Sequence, residues 1–279
     1  MNDNTFSEIA DLALRETGQV FQLSKRYLME ARLAAISRRE SFATLDDLAH
    51  CLKARPNNHL KSEIAAALTD KLTQFFADPS MIELLASQAL PNRLAASNVG
   101  RLRVWCAGVS TGQEAYSLAM RLAELETGPM LHGKVEIVAT DVSSDCLDKA
   151  RRGVYGHFDV QKGLSIQRLL RYFRREESGD WRIQERLRQA VRFQHHNLLQ
   201  TCESLGQFDV IICRKVLKGM GQPLQQVAVS NLLNHLSPGG LIFTSAEENL
   251  PFLNESIVAS SDIRGAYTRR QHSHTTIAA

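Results

Sequence analysis

The sequence predicts an α/β domain with a mostly parallel, doubly wound sheet and a small inserted β-subdomain, preceded by an all-helical N-terminal domain. Three observations predict it. Residues 1–90 carry apolar side chains at helical spacing and contain no strand candidate. From Arg101 onward, short β-rich runs alternate with amphipathic stretches, the pattern of helices covering both faces of a parallel sheet. One arginine-rich stretch, residues 164–199, breaks that rhythm and reads as an insertion. The expected domains are 1–90 (helical) and 91–279 (α/β), with the β-subdomain at about residues 172–196.

The elements follow in order. FSEIADLALRETG (6–18) reads as a helix stopped by Gly18, and LSKRYLMEARLAAISRRE (23–40) as a second, with Ser24 as candidate cap. TLDDLAHCLKA (44–54) starts at Thr44, whose hydroxyl suits an N-cap. The pattern of HLKSEIAAALTDKLTQFFADP predicts one helix over 59–79, and SMIELLASQAL a last one before Pro91. RLRVWCAGV (101–109) is the first strand, and GQEAYSLAMRLAELE its following helix. KVEIVATDV (134–142) is the second strand, with SSDCLDKARRG a helix capped at Ser143 or Ser144. FDVIICR (208–214), PLQQVAVSNLLNHL and LIFTSA continue as strand, helix and strand, with SPGG turning between the last two. In the insertion, a hairpin is expected around Ser178-Gly179-Asp180, pairing Trp181–Ile183 with Val191–Phe193.

Composition narrows the function. A net charge of +3 over 279 residues gives no general attraction to nucleic acid, so any basic feature is local. No run approaches the roughly 20 apolar residues of a membrane span. The start, MNDNTFSEIA, is polar and acidic rather than a signal peptide, and a cytoplasmic location is expected. The five cysteines (Cys51, Cys106, Cys146, Cys202, Cys213) form no CxxC pair, which suits reduced thiols. Cys106 and Cys213, inside apolar runs, read as core residues. The nine histidines show no metal-binding spacing; no metal is expected.

Candidate chemistry lies at the strand tips. Gly108 and Gly112 bracket a turn between the first strand and a helix, where backbone can approach a ligand and helix N–H groups are unpaired. The same pattern serves for a mere tight turn. No lysine follows, so a phosphate loop is excluded. Asp141, at the tip of the second strand, can accept hydrogen bonds from ribose hydroxyls; its alternative is a helix or turn cap. Glu114 either favours the helix dipole or faces a cationic ligand. A nucleoside with a positive charge and no phosphate chain fits S-adenosylmethionine better than NAD.

With these segments in view, VWCAGVSTGQEAYSLAM, IVATDVSSDCLDKARRGVYG and FDVIICRKVL resemble CheR, the methyltransferase of bacterial chemotaxis. The resemblance extends through LTDKLTQFFADP and SPGGLIFTSAEENL, over about residues 10–268. It implies a Rossmann-like methyltransferase domain, S-adenosylmethionine as cofactor, S-adenosylhomocysteine as product, and glutamates on the cytoplasmic helical domain of chemoreceptors as acceptors. A monomer is expected, with neither nucleic acid nor membrane insertion involved. Residue by residue, it carries cofactor contacts onto Thr73, Gly108, Gly112, Glu114, Asp141, Asn197, Leu198, Arg214 and Lys215. Glu114 matches the carboxylate at the methionine end, Asp141 the ribose acid, and Asn197-Leu198 the adenine side. No acid–base residue is assigned; Thr73 and Arg214 are the candidates beside the reacting centre.

The chain also departs from the family pattern. The family's FFR is Phe75-Phe76-Ala77 here, an asparagine is Lys71, and RNVxIYF becomes Arg214-Lys215-Val216-Leu217-Lys218-Gly219-Met220. An ionised glutamate is already nucleophilic, so the enzyme chiefly aligns the reactants. Losing an arginine and a tyrosine at about 2–4 kcal/mol each would slow transfer without abolishing it. A lysine at 71, 215 or 218 offers charge without the bidentate fork. An atypical methyltransferase is expected; a receptor-binding pseudoenzyme, or a methyltransferase for another signalling protein such as a pilus or surface-sensing receptor, are the alternatives. For docking, Lys25, Arg32 and Arg39 recur every seven residues as a basic stripe, which a solvated helix face would also show. In the family the β-subdomain can grip a receptor's C-terminal peptide; the short turn here resembles members without that tether.

Overall fold

The computed structural model describes residues 1–96, 100–125, 133–245, 248, 250, 255–261, 263 and 265–270. Helices α1 (Asp3–Thr17), α2 (Arg26–Arg39), α3 (Leu45–Ala54) and α4 (Asn58–Leu68) come first. Asn2 caps α1 through Thr5 N–H, and Gly18 ends it in the left-handed conformation, φ 77°. Thr44 and Asp47 form a reciprocal capping box on α3. These helices bury Phe6, Ile9, Met29, Leu33, Leu48, Ile64 and Leu68 in a core of their own.

The helix expected over 59–79 stops at Leu68. Residues 69–78 leave the helical path because Phe75 and Phe76 turn into the core of the sheet instead. Phe76 has φ 45°, and its N–H donates to Ser117 Oγ at 2.9 Å. Gly163 is required opposite: a Cβ there would stand 1.7 Å from the Phe75 carbonyl oxygen. Helices α5 (Pro79–Leu84) and α6 (Leu90–Ala96) flank a π-turn at Leu85–Ala89. Met81, Ile82, Leu85, Ala89 and Leu90 pack with the sheet, so residues 75–90, grouped with the helical module on sequence, share the core of the α/β domain.

That domain runs β1 (Leu102–Ala107), α7 (Gln113–Glu124), β2 (Val135–Asp141), α8 (Ser144–Arg152), β3 (Val154–Tyr155), α9 (His157–Gln161), α10 (Ile166–Tyr172) and β4 (Phe173–Arg175). It continues with β5 (Trp181–Ile183), α11 (Glu185–Gln189), β6 (Val191–His195), β7 (Phe208–Cys213), α12 (Gln222–Asn234), β8 (Leu236–Phe243), β9 (Ile257–Ala259) and β10 (Ala266–Arg269). The main sheet has the order β6-β2-β1-β7-β8-β10-β9. Its first five strands are parallel; β10 and β9 join antiparallel. Strand alternation divides the interior. Val104, Cys106, Ile137, Ala139, Val210 and Ile212 face one core, and Trp105, Ala107, Val138, Ile211 and Cys213 the other. Each fully buried Val, Leu or Ile contributes about 1.5–3 kcal/mol.

The insertion differs from expectation in its pairing. The turn at Ser178–Gly179 joins β4 to β5, and β3 completes a three-stranded sheet, order β3-β5-β4. Val191–His195 is instead the parallel edge strand of the main sheet, in register with Ile137–Asp141. No helix among the described residues is long and apolar enough to cross a membrane.

Candidate functional site at the strand tips

The chain leaves β1 towards β2 on one side and returns to β7 on the other, so a topological switch lies at the carboxyl tip of β1, where open α/β sheets bind ligands. Ala107 is level with Thr140 on β2 and Cys213 on β7, which brings three strand tips together.

The turn after β1 is shaped by three left-handed residues, Gly108 (φ 73°), Ser110 (φ 51°) and Gly112 (φ 90°). Glycine avoids the Cβ clash at two of them, but Ser110 must be held there by its partners. Its N–H donates to Asp141 Oδ2 at 2.8 Å, and its hydroxyl donates to the Lys71 carbonyl at 2.9 Å. The missing Cβ atoms of Gly108 and Gly112 admit protein side chains in this structure. A Cβ at 108 would meet Val216 Cγ2 at 2.3 Å, and one at 112 would meet Ala150 at 2.9 Å and Phe193 at 3.1 Å.

Asp141 is buried and accepts a second backbone hydrogen bond from Ser143 at 2.8 Å. Ser143 also caps α8, deciding between the two serines. Burial pushes the Asp141 carboxyl upward, opposed by the two N–H donors and the nearby Lys71 charge. Each of its oxygens accepts one N–H, so each keeps a lone pair for a hydroxyl donor.

Glu114 sits in the first turn of α7 and accepts from Arg214 Nη1 at 2.9 Å. Arg214, following β7, also donates from Nη2 to Asp78 at 3.2 Å, and Asp78 caps α5. Burial raises the Glu114 carboxyl, while the Arg214 charge counteracts it. The group is an acidic corner with one built-in cation: two carboxylates face one guanidinium.

Glu248 is a site-shaping residue that sequence reasoning missed. Its buried carboxylate accepts the N–H groups of Lys215 (2.9 Å), Leu217 (2.9 Å) and Lys218 (3.4 Å), and the Ser245 hydroxyl at 2.7 Å. One side chain thus fixes the loop after β7, where Lys215 adopts φ 60° with its side chain exposed. Nothing in the local pattern marks Glu248. Asp78 lay inside the helix expected over 59–79; the Asp-Pro pair at 78–79 is the local signal that could have marked it as a cap, and nothing local marks its Arg214 contact.

Thr73 is half-buried in the 69–78 segment beside Lys71, and Ala77 is exposed. Asn197 is committed within the protein: its amide donates to the Glu16 carbonyl at 2.6 Å, and its oxygen accepts from Leu199 N–H at 3.0 Å. Leu198 is buried in the second core of the sheet. The basic stripe is also altered by its surroundings. Lys25 belongs to a 3-10 turn before α2, Arg32 bonds the Leu68 carbonyl and pairs with Asp70, and Arg39 forks onto Glu63. The seven-residue spacing therefore does not present three uncommitted charges on one helix.

The donor set fits S-adenosylmethionine. Carboxylates at the tip of β2 and in the first turn of α7 suit its ribose and amino group. Among the described residues, no cluster could hold a metal ion. Cys106 and Cys213 lie buried beneath the site, and burial raises both thiols, which makes them packing groups.

Comparison with known proteins accords with this geometry. The model for the CheR methyltransferase S-adenosylmethionine-binding domain matches residues 71–264, and that for the CheR all-alpha domain matches residues 4–73. The two meet where α4 has ended and the core changes. The chain is 34% identical over 254 residues to chemotaxis protein methyltransferase 1 of Pseudomonas aeruginosa, covering 89% of this chain and 92% of that one. It is 35% identical over 261 residues to the chemotaxis protein methyltransferase of Escherichia coli (91% and 87%). With chemotaxis protein methyltransferase Cher2 of Pseudomonas putida the identity is 33% over 229 residues (81% and 83%).

Proposed function

The chain belongs to the CheR methyltransferase family, and on that premise we propose that it methylates glutamate side chains on the cytoplasmic helical domain of chemoreceptors. The observation that carries this reading is the pair of carboxylates, half-buried Glu114 at the start of α7 and buried Asp141 at the tip of β2, on either side of the turn after β1. S-adenosylmethionine supplies a methyl group activated by its sulfonium. Asp141 would accept hydrogen bonds from its ribose hydroxyls, and Glu114 would meet its amino group. Arg214, held between Glu114 and Asp78, keeps two neighbouring carboxylates from repelling one another. An ionised acceptor carboxylate needs no general base, so alignment and water exclusion are what the protein contributes. Thr73 and Lys71 stand on the 69–78 segment, whose Lys71 carbonyl is tied to Ser110.

A second reading is favoured by one observation. Ala77 and the Lys215 side chain are exposed where the family pattern has arginine and asparagine, so acceptor positioning is depleted. On that reading the protein docks on receptors without methylating them, or methylates a pilus or surface-sensing receptor. Incubation with labelled S-adenosylmethionine and a receptor cytoplasmic fragment separates the readings. Base-labile label in the fragment supports methylation. Fragment binding without label, unchanged in an Ala77→Arg variant, supports the regulator, and label appearing only in other lysate proteins supports a different acceptor.

A further inference from the structure

The helical module reaches the strand-tip loops through the end of α1. Beyond Gly18 the chain runs antiparallel to residues 219–221: Val20 N–H donates to the Gly219 carbonyl at 3.0 Å, and Gly221 N–H donates to the Gly18 carbonyl at 2.9 Å. Gln19 lies between these two rungs, paired with Met220. Its side-chain amide covers Gly219: a Cβ at 219 would stand 2.4 Å from Gln19 Oε1 and 3.1 Å from Cδ and Nε2. Gly219 does not have a positive φ, so its backbone conformation does not demand glycine. The tight contact there is with the end of the Gln19 side chain, which an added Cβ would displace.

The same turn of α1 is tied on its other flank. The carbonyl of Glu16, one of the last four of the helix and therefore without an intrahelical partner, accepts from the Asn197 amide in the loop after β6. One helix end thus holds both the loop that follows β6 and the loop that follows β7. The second of these begins with Arg214, whose guanidinium meets Glu114.

We propose that Gln19 is a positioning residue of the methyltransferase site: packed on Gly219, it fixes loop 214–221 and, through Arg214, the cofactor-binding corner. Cofactor affinity then depends on how the end of α1 docks on these loops. This rests on the S-adenosylmethionine reading of the strand tips.

The test is calorimetric titration of the full chain with S-adenosylhomocysteine, alongside thermal unfolding. Gly219→Ala pushes the Gln19 amide away, and Gln19→Ala removes it; both lose one contact. Each single variant is expected to bind about five- to tenfold more weakly, and the double variant no more weakly than the weaker single. Gln19→Met, of similar length but without the amide, should return affinity to within about threefold of wild type, as volume-conserving exchanges do. Affinity unchanged in both singles, or single effects that multiply in the double, would overturn the proposal. So would losses of thermal stability without a change in affinity. If Gly219→Ala does not fold, Gln19→Ala and Gln19→Met decide by the same criteria. Absence of heat from the wild-type chain would instead overturn the cofactor reading, and this proposal with it.

Discussion

The Arg214 guanidinium and the Glu114 carboxylate meet at 2.9 Å across 100 positions of sequence, and Arg214 then continues to Asp78. The pair joins the end of β7 to the start of α7 and the start of α5. Because the Glu114 side chain is only 16% exposed, few groups stabilise its charge and each counts.

Replacing Glu114 with Gln tests the proposed contact to the cofactor's amino group by removing its anion. A charge-assisted hydrogen bond contributes about 1.5–3 kcal/mol, so S-adenosylhomocysteine should bind about 10- to 150-fold more weakly by calorimetry. Affinity within twofold of wild type would place the amino group elsewhere.

Acidification should act on the same group. Burial raises the Glu114 and Asp141 carboxyls, so both begin to take up protons above the ordinary carboxylate range. Cofactor affinity should fall from pH 7 to pH 5, and Glu114→Gln should flatten that profile. Stability runs the other way for these groups. The folded chain retains a proton the unfolded chain releases, so their contribution to stability declines as pH rises through the window between ordinary and raised values.

His196 provides an opposing acid sensitivity. Its ring lies 5.7 Å from Trp105, its Nε2 is buried without a hydrogen-bond partner among the described residues, and burial with the neighbouring His235 pushes its pKa down to about 4. The unfolded chain takes up this proton near pH 6.5 and the folded chain only near 4, so stability falls as pH drops through that interval, by up to about 1.4 kcal/mol per unit. In His196→Phe, which keeps a ring against Trp105, the fall between pH 6.5 and pH 4 should be shallower in urea titrations. An unaltered slope would assign the acid sensitivity to other groups.

Glu248→Ala leaves the N–H groups of Lys215, Leu217 and Lys218 without their common acceptor. A loss of about 2–4 kcal/mol in stability is expected, since several buried donors lose one charged partner. Hydrogen exchange should report it most sharply at residues 215–218. Uniform acceleration along the chain, with no excess at that loop, would contradict the assignment.

Ala77→Arg tests the depleted acceptor side. Ala77 is exposed, so the change should alter stability by no more than about 0.5 kcal/mol. If the missing arginine limits catalysis, methyl transfer to a receptor fragment should rise at least about tenfold, with cofactor affinity unchanged, as expected for an interaction made in the transition state. An unchanged rate would show that the site does not require an arginine there. Gly219→Tyr is a poorer probe, because its side chain would first displace Gln19.

By itself, the sequence determined what depends on neighbours along the chain. Short, nearly continuous apolar runs specified β1, β2 and β7, the helical spacing specified α1 to α3, and Thr44 and Gly18 marked helix ends through their own backbone geometry. The placement of Gly108, Gly112, Glu114 and Asp141 was equally local, since it follows directly from where strands stop. Tertiary structure decided the rest. Leu68 ends its helix because Phe75 and Phe76 gain burial against the sheet, an advantage that periodicity along residues 59–79 cannot register. Val191–His195 pairs with β2 rather than with β5, since an edge of the large sheet offers a parallel partner five residues long. Asn197 turns to Glu16, Arg32 and Arg39 to α4, and Glu248 to the loop after β7. Each of these choices satisfies a buried or half-buried polar group with a partner far away in sequence, and such pairings exist only once the chain has folded.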